Sequence, residues 1–73
     1  MQTTYSFDTY DASGVQTLDT TSLQLAAHAL YRMIHPDCGN VGSVQDTIND
    51  DRTEAEYTIW SEHGPRIHMY VSK

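Results

Sequence analysis

Hydrophobic and polar residues alternate near the start of this chain, and a period of two is typical of a β-strand with one buried face. Residues 4–10 are rich in β-formers, and Tyr5 and Phe7 would share a face. Residues 11–14 have the composition of a turn, and residues 15–18 could return beside the first strand. The pattern therefore predicts an N-terminal hairpin closed by a glycine-containing loop.

The same alternation marks a second hairpin at the C-terminal end, where residues 54–62 and 67–72 flank a turn at 63–66. A loop of odd length would bring the apolar residues of both strands to one face, and a buried face is what sets strand register. That face consists of Tyr57, Ile59, Ile67, Met69 and Val71. The opposite face then carries Trp60 and Tyr70, which we expect to stand near each other toward solvent.

Between the hairpins the apolar period becomes that of an α-helix. Six residues fall within one sector at about 100° per residue: Leu23, Ala26, Ala27, Leu30, Met33 and Ile34. Thr21 and Gln24 have the spacing of a capping box, and Pro36 stops the helix. We predict a helix over 22–35, with Leu25 on the outer side beneath a loop or, alternatively, against another chain.

Residues 37–52 are rich in loop-forming types, yet a structureless segment of that length is uncommon in a small domain. Val44 and Ile48 favour a short strand near 43–48, and a mobile functional loop is the alternative. The predicted fold is α+β, a single domain over 1–73 with one helix packed on an antiparallel sheet of three to five strands. Its order is hairpin, helix, then hairpin or meander, and its core centres on Phe7, Leu23, Leu30, Ile34, Ile59 and Met69.

Charge narrows the range of partners. The 73 residues include ten acidic residues against four of Lys and Arg, for a formal net charge of −6. Because phosphate backbones are bound mainly by Lys and Arg, the sequence argues against direct binding of nucleic acid. A basic protein surface is the favoured partner, although the acidity alone would also keep a small protein soluble.

Compartment and chemistry are constrained by the remaining composition. No segment resembles a signal peptide or a membrane span, and the single Cys38 forms no intramolecular disulfide. We expect a cytoplasmic protein that does not bind membranes. His35, Cys38, His63 and His68 are of zinc-ligand type, but their spacing matches no paired-ligand pattern. Neither a catalytic motif nor a calcium loop is present, and we expect no enzyme activity, metal or cofactor.

Surface recognition is the remaining hypothesis. Aromatic side chains that face solvent, bordered by carboxylates, would suit a partner rich in Arg and Lys. The candidate partner-binding residues are Trp60, Tyr70, His68, Glu54, Glu56, Glu62, Asp50 and Asp51. The alternative is that Trp60 and Tyr70 are buried beneath the 37–52 segment or the first hairpin.

The layout also resembles that of a known class. The short acidic chain with a turn at Gly14, the helix TSLQLAAHALYRMI and the terminal segment AEYTIWSEHGPRIHMYVSK is similar to small phage-encoded inhibitors of the anti-CRISPR kind. The resemblance implies a non-enzymatic protein that blocks a CRISPR-Cas defence complex in the bacterial cytoplasm, in some cases at its nucleic-acid-binding surface. Two alternatives stay open: a metal-stabilised regulatory module, and a homodimeric structural protein paired through a strand edge or Leu25.

Overall fold

One helix and five strands make up the fold in the computed structural model, which describes residues 2–73. In chain order they are β1 Thr3–Asp8, β2 Ser13–Leu18, α1 Leu23–Ile34, β3 Val41–Ile48, β4 Glu54–Ser61 and β5 Ile67–Ser72. The strands form one antiparallel sheet in the order β2-β1-β5-β4-β3. The α+β prediction is confirmed, with the sheet at the upper end of the predicted size.

Helix α1 packs against β3, β4 and β5, and so covers one face of the sheet. Its N-terminus differs from the predicted capping box. The capping residue is Ser22, whose Oγ accepts a hydrogen bond from the backbone N–H of Leu25 at 3.3 Å. Gln24 does not reach back to the cap, because its side chain donates to Ser43 Oγ on β3 at 3.4 Å. The hydroxyl-rich start of the helix was predicted correctly, but the cap lies one residue later than Thr21.

The core lies between the helix and the sheet. Its large, fully buried side chains are Tyr5, Tyr31, Leu30, Ile59, Met69 and Val71. Of the predicted core, Leu23, Leu30, Ile59 and Met69 are buried, whereas Phe7 and Ile34 are partly buried at its margin. Tyr5 and Tyr31 are absent from the predicted core centre but are fully buried, and the hydroxyl of each has a hydrogen-bond partner. Tyr5 donates to the backbone oxygen of Thr20 at 2.6 Å.

Two expectations about the exposure of residues in helix α1 are wrong. Met33 was assigned to the apolar sector but is 49% exposed, and Leu25 is 59% exposed rather than covered by a loop. The buried sector is instead completed by Tyr31, which is fully buried. Tyr31 can occupy a core position because its hydroxyl reaches a hydrogen-bond acceptor in the β4–β5 turn.

The predicted register of the C-terminal hairpin is confirmed, since Tyr57 pairs with Met69 and Ile59 pairs with Ile67. The preceding segment is more regular than predicted. It forms the eight-residue strand β3, with a β-bulge between Gln45 and Thr47. The mobile-loop alternative for this segment is therefore wrong. Within residues 2–73, no helix has the length and apolar character needed to cross a membrane.

We predict that Tyr31→Phe lowers the free energy of unfolding by about 1–3 kcal/mol, the usual cost of leaving a buried polar group without its partner. The Tyr31 hydroxyl donates to the backbone oxygen of Pro65 at 2.6 Å and lies 2.9 Å from Ser61 Oγ. Urea denaturation measures the change. Tyr10→Phe is the matched control, because the fully exposed Tyr10 loses nothing with its hydroxyl. Equal stability of the two variants would show that the Tyr31 bonds contribute nothing net.

A second prediction concerns His28, which links the helix to β3 through a contact of 2.6 Å between His28 Nε2 and Ser43 Oγ. Burial, and then the nearby Arg32 charge, lower the pKa of His28. The folded state therefore resists protonation more than the unfolded state does. Stability should fall as the pH drops below about 6.5, the ordinary value for histidine, and this contribution should level off below the lowered pKa.

Melting curves of the wild type and His28→Gln between neutral and mildly acidic pH isolate this effect. The difference in midpoint between the two proteins should change with pH in that window. A pH-independent difference would mean that His28 titrates alike in the folded and unfolded states.

Candidate functional site

In residues 2–73, no second layer of helices or strands covers the sheet face opposite the helix, and alternation along the strands decides which side chains stand on that face. We call this surface the open face. It is defined by Asp8, Val44, Asp46, Glu54, Glu56, Thr58, Trp60, His68 and Tyr70. Trp60 and Tyr70 are half-buried by their neighbours on the face, so the alternative of full burial beneath the 37–52 segment or the first hairpin is wrong.

A polar network occupies the centre of the open face. His68 Nε2 lies 3.4 Å from Asp46 Oδ2 and 3.5 Å from Glu56 Oε1. Thr58 Oγ1 donates to Asp46 at 2.8 Å, and Thr47 Oγ1 donates to Glu56 at 2.9 Å. The β3 bulge supplies the extra residue Asp46, which the network holds against β4. Carboxylates from two strands are thus gathered around one imidazole.

Tyr70 is oriented by a carboxylate. Its hydroxyl donates to Glu54 Oε1 at 2.5 Å. That hydrogen bond is the largest cause that raises the pKa of Tyr70. The phenol therefore stays protonated at neutral pH, with its ring held over the β4–β5 pair.

Trp60 lies at the other end of β4, where its indole covers Gly42 on β3. A Cβ at position 42 would stand 2.9 Å from Trp60 Nε1, which is closer than side chains normally approach. The guanidinium carbon of Arg66 lies 5.2 Å from the centroid of the Trp60 ring, within cation–π range. Gly42 thus leaves room for the indole ring, and Arg66 packs against that ring.

Trp60 and Tyr70 share the face, but the expectation that they stand together is wrong. Tyr70 pairs with Glu56, which is four residues from Trp60 on the same strand. At a rise of about 3.3 Å per residue, Trp60 and Glu56 are about 13 Å apart along β4, so the two aromatic residues are separated by about that distance. His68 and Thr58 lie between them.

Three of the predicted binding residues lie beyond the open face. Glu62 accepts a hydrogen bond from the backbone N–H of Asn40 at 2.8 Å, and so fixes the segment that leads into β3. Asp50 and Asp51 are exposed in the β3–β4 turn. That turn is organised by Asn49, whose Oδ1 accepts from the backbone N–H of Thr53 at 2.8 Å.

A groove of about 620 Å³ borders the open face where β1 stops pairing with β5. The last pair is Asp8 with Tyr70, and β5 extends past it to Ile67. Acidic residues lining the groove include Asp8 and Asp11, neither of which is among the predicted binding residues. Period-two alternation from Tyr5 would have placed Asp8 on the open face, but nothing local to the sequence locates Asp46, because a bulge breaks the alternation.

The candidate metal ligands do not form a set. His35, Cys38 and His63 border a shallow depression after the helix, whereas His68 belongs to the open face. Cys38 is buried, and its thiol donates to the Gly39 oxygen at 3.5 Å. Throughout the described part of the chain, no group of three or more His, Cys, Asp or Glu side chains is placed to hold a metal ion.

Comparison with protein-family models, with curated proteins and with solved structures finds no match to this chain. The class of site is therefore defined by geometry alone. It is a one-helix α+β fold in which an antiparallel sheet presents an acidic face carrying two fixed aromatic side chains.

Proposed function

We propose that this protein is a non-enzymatic inhibitor that binds another protein through the open face. The observation that carries the proposal is that, in residues 2–73, the helix covers only one face of the sheet, and that the other face carries several carboxylates together with two large aromatic residues. Carboxylates Asp8, Asp46, Glu54 and Glu56 all belong to this surface. Sheet faces exposed to water are ordinarily polar, but Trp and Tyr are the residues most enriched among binding anchors.

The charge of the open face selects the chemistry of the partner. A surface rich in Arg and Lys would complement these carboxylates, and the overall charge of −6 would speed the encounter. Protein surfaces that hold nucleic acid have this character. Occupying such a surface would exclude the nucleic acid, and this is the form of inhibition that the resemblance to anti-CRISPR proteins implies.

The two anchors are held in place before binding, which supports recognition by a preformed surface. Trp60 is fixed between Gly42 and Arg66, and Tyr70 is fixed by Glu54. Side chains that are already ordered lose less conformational entropy when a partner docks, and the affinity rises accordingly. The groove beside Asp8 and Tyr70 would then receive a long basic side chain from the partner.

Charge reversal tests this proposal. Glu54→Lys changes the open face, whereas Asp37→Lys makes the same change in net charge at an exposed residue after the helix. Each immobilised protein is exposed to bacterial lysate, and captured proteins are identified by mass spectrometry and measured for affinity. We expect the wild type and Asp37→Lys to retain a basic protein that both salt and heparin release, and Glu54→Lys to lose it.

Two results would contradict the proposal. Equal loss in both variants would show that net charge alone drives capture. Retention by Glu54→Lys at unchanged affinity would exclude the open face from the interface.

A further inference from the structure

Strand β2 is an edge strand of the sheet, and its outer side lacks the usual protection against pairing with another strand. Native edges are blunted by charged residues, proline or bulges. The β2 sequence SGVQTL contains no charged residue and no proline, and its register with β1 runs without a bulge from Ser13 to Leu18. By contrast, the other edge strand, β3, carries both a bulge and Asp46.

The direction of the β2 backbone groups follows from the hairpin turn. The Thr9 N–H donates to the Ala12 oxygen at 2.7 Å, so these two residues form a hydrogen-bonded pair. Hydrogen-bonded and non-hydrogen-bonded pairs alternate along an antiparallel ladder. Gly14, Gln16 and Leu18 therefore bond to β1, and the backbone groups of Ser13, Val15 and Thr17 point away from the sheet.

We propose that a second copy of this chain pairs with that edge, β2 against β2, around a two-fold axis perpendicular to the sheet. In the register with Val15 opposite Val15 of the other copy, Ser13 lies opposite Thr17. All three outward-facing residues then form hydrogen-bonded pairs, each of which exchanges two bonds. A shift of two residues would leave part of this set beyond the strand ends. In this arrangement both helices lie on the same side of the combined sheet, so that the two open faces form one continuous surface on the other side.

The edge suits a second copy of this chain because it is uncharged and self-complementary. Two chains of charge −6 repel each other, and they can approach with least repulsion where no charged residue lies. Strand β2 meets that condition. We call the interface between the two β2 strands the β2 seam, and the Val15 side chain, which is 61% exposed in the single chain, becomes covered there. The interface is self-complementary, as a two-fold dimer requires.

The ends of the seam give the dimer a distinctive salt dependence. Asp11 of one copy lies toward Asp19 of the other in this register, and like charges placed opposite each other are destabilising. Salt screens that repulsion. Self-association should therefore strengthen as salt rises, whereas binding of a basic partner by the open face should weaken. The dimer does not depend on the proposed function.

Sedimentation equilibrium from micromolar to millimolar protein tests the pairing. The wild type should pass from the 8.3 kDa chain mass to twice that mass. Val15→Pro removes an N–H that points away from β1, so the hairpin keeps its bonds while the dimer loses two. We expect this variant to remain monomeric with an unchanged circular dichroism spectrum. A wild type that is monomeric throughout, or a Val15→Pro protein that still dimerises, would overturn the proposal.

Disulfide cross-linking checks the register without relying on proline. Hydrogen-bonded partners have Cα atoms about 5.5 Å apart, within the range that a disulfide spans. Val15→Cys should form a covalent dimer under mild oxidation by diamide, while the buried Cys38 stays protected. Val44→Cys is the matched control, since Val44 is similarly exposed on the opposite edge strand.

Within the dimer the effective concentration of the paired thiols is in the millimolar range, so at about 0.1 mM protein, where dimer is present, Val15→Cys should form the disulfide about tenfold faster than Val44→Cys. Equal rates in the two variants would refute the β2 seam.

Discussion

Replacing Leu30 with alanine is expected to lower the free energy of unfolding by about 2–5 kcal/mol. Leu30 is fully buried between the helix and the sheet, and its truncation both loses apolar burial and leaves a cavity. A chain of this length has a total stability of only about 4–11 kcal/mol at typical values per residue. The variant should therefore melt at a much lower temperature, or fail to fold at physiological temperature.

Leu25→Ala provides the matched control for this experiment. It makes the same substitution on the same helix at a side chain that is 59% exposed. Surface substitutions usually change stability by no more than about 0.5 kcal/mol. Urea denaturation of both variants gives the comparison. Similar losses for Leu25→Ala and Leu30→Ala would mean that the helix is rotated relative to the sheet from the orientation described above.

The second large effect is expected in binding rather than in folding. Trp60→Ala should weaken binding to the captured basic partner by at least about 2 kcal/mol, as truncation of an aromatic anchor does. The fold should survive, because Trp60 stands on the open face and its indole packs on Gly42 and Arg66 rather than in the core. Affinity and melting must be measured on the same protein.

Gly42→Ala separates a loss of the anchor from a loss of the fold. The added methyl group would crowd the indole from below and tilt it, while the core remains untouched. We expect weaker partner binding with little change in melting. Unchanged affinity in a folded Trp60→Ala protein would remove Trp60 from the interface, and its unfolding would assign the indole a structural role instead.

Much of the open face was predictable because it depends on local geometry. Successive residues of a strand point to opposite sides, so the apolar series through Tyr57 and Ile59 places Glu54, Glu56 and Trp60 on the other side wherever the strand lies. The helix limits were likewise close, since capping hydroxyls and a following proline act within one turn. These signals are local, and the sequence contains them in full.

Local pattern did not reveal which residues from distant segments become neighbours. Asp8 stands beside Tyr70 because β1 pairs with β5, a contact between opposite ends of the chain. The burial of Tyr31 was missed for the same reason, as the partner of its hydroxyl lies in the β4–β5 turn.

The sequence by itself determined the element types, the buried side of each C-terminal strand and the acidic sign of the molecule, because these follow from residue type and periodicity. Only the tertiary structure decided the strand order, the distance between Trp60 and Tyr70, and the gathering of Asp46 and Glu56 around His68. Those features depend on long-range pairing and on one bulge. These features are stabilised by contacts between distant segments, and no local window of the sequence contains both partners of such a contact.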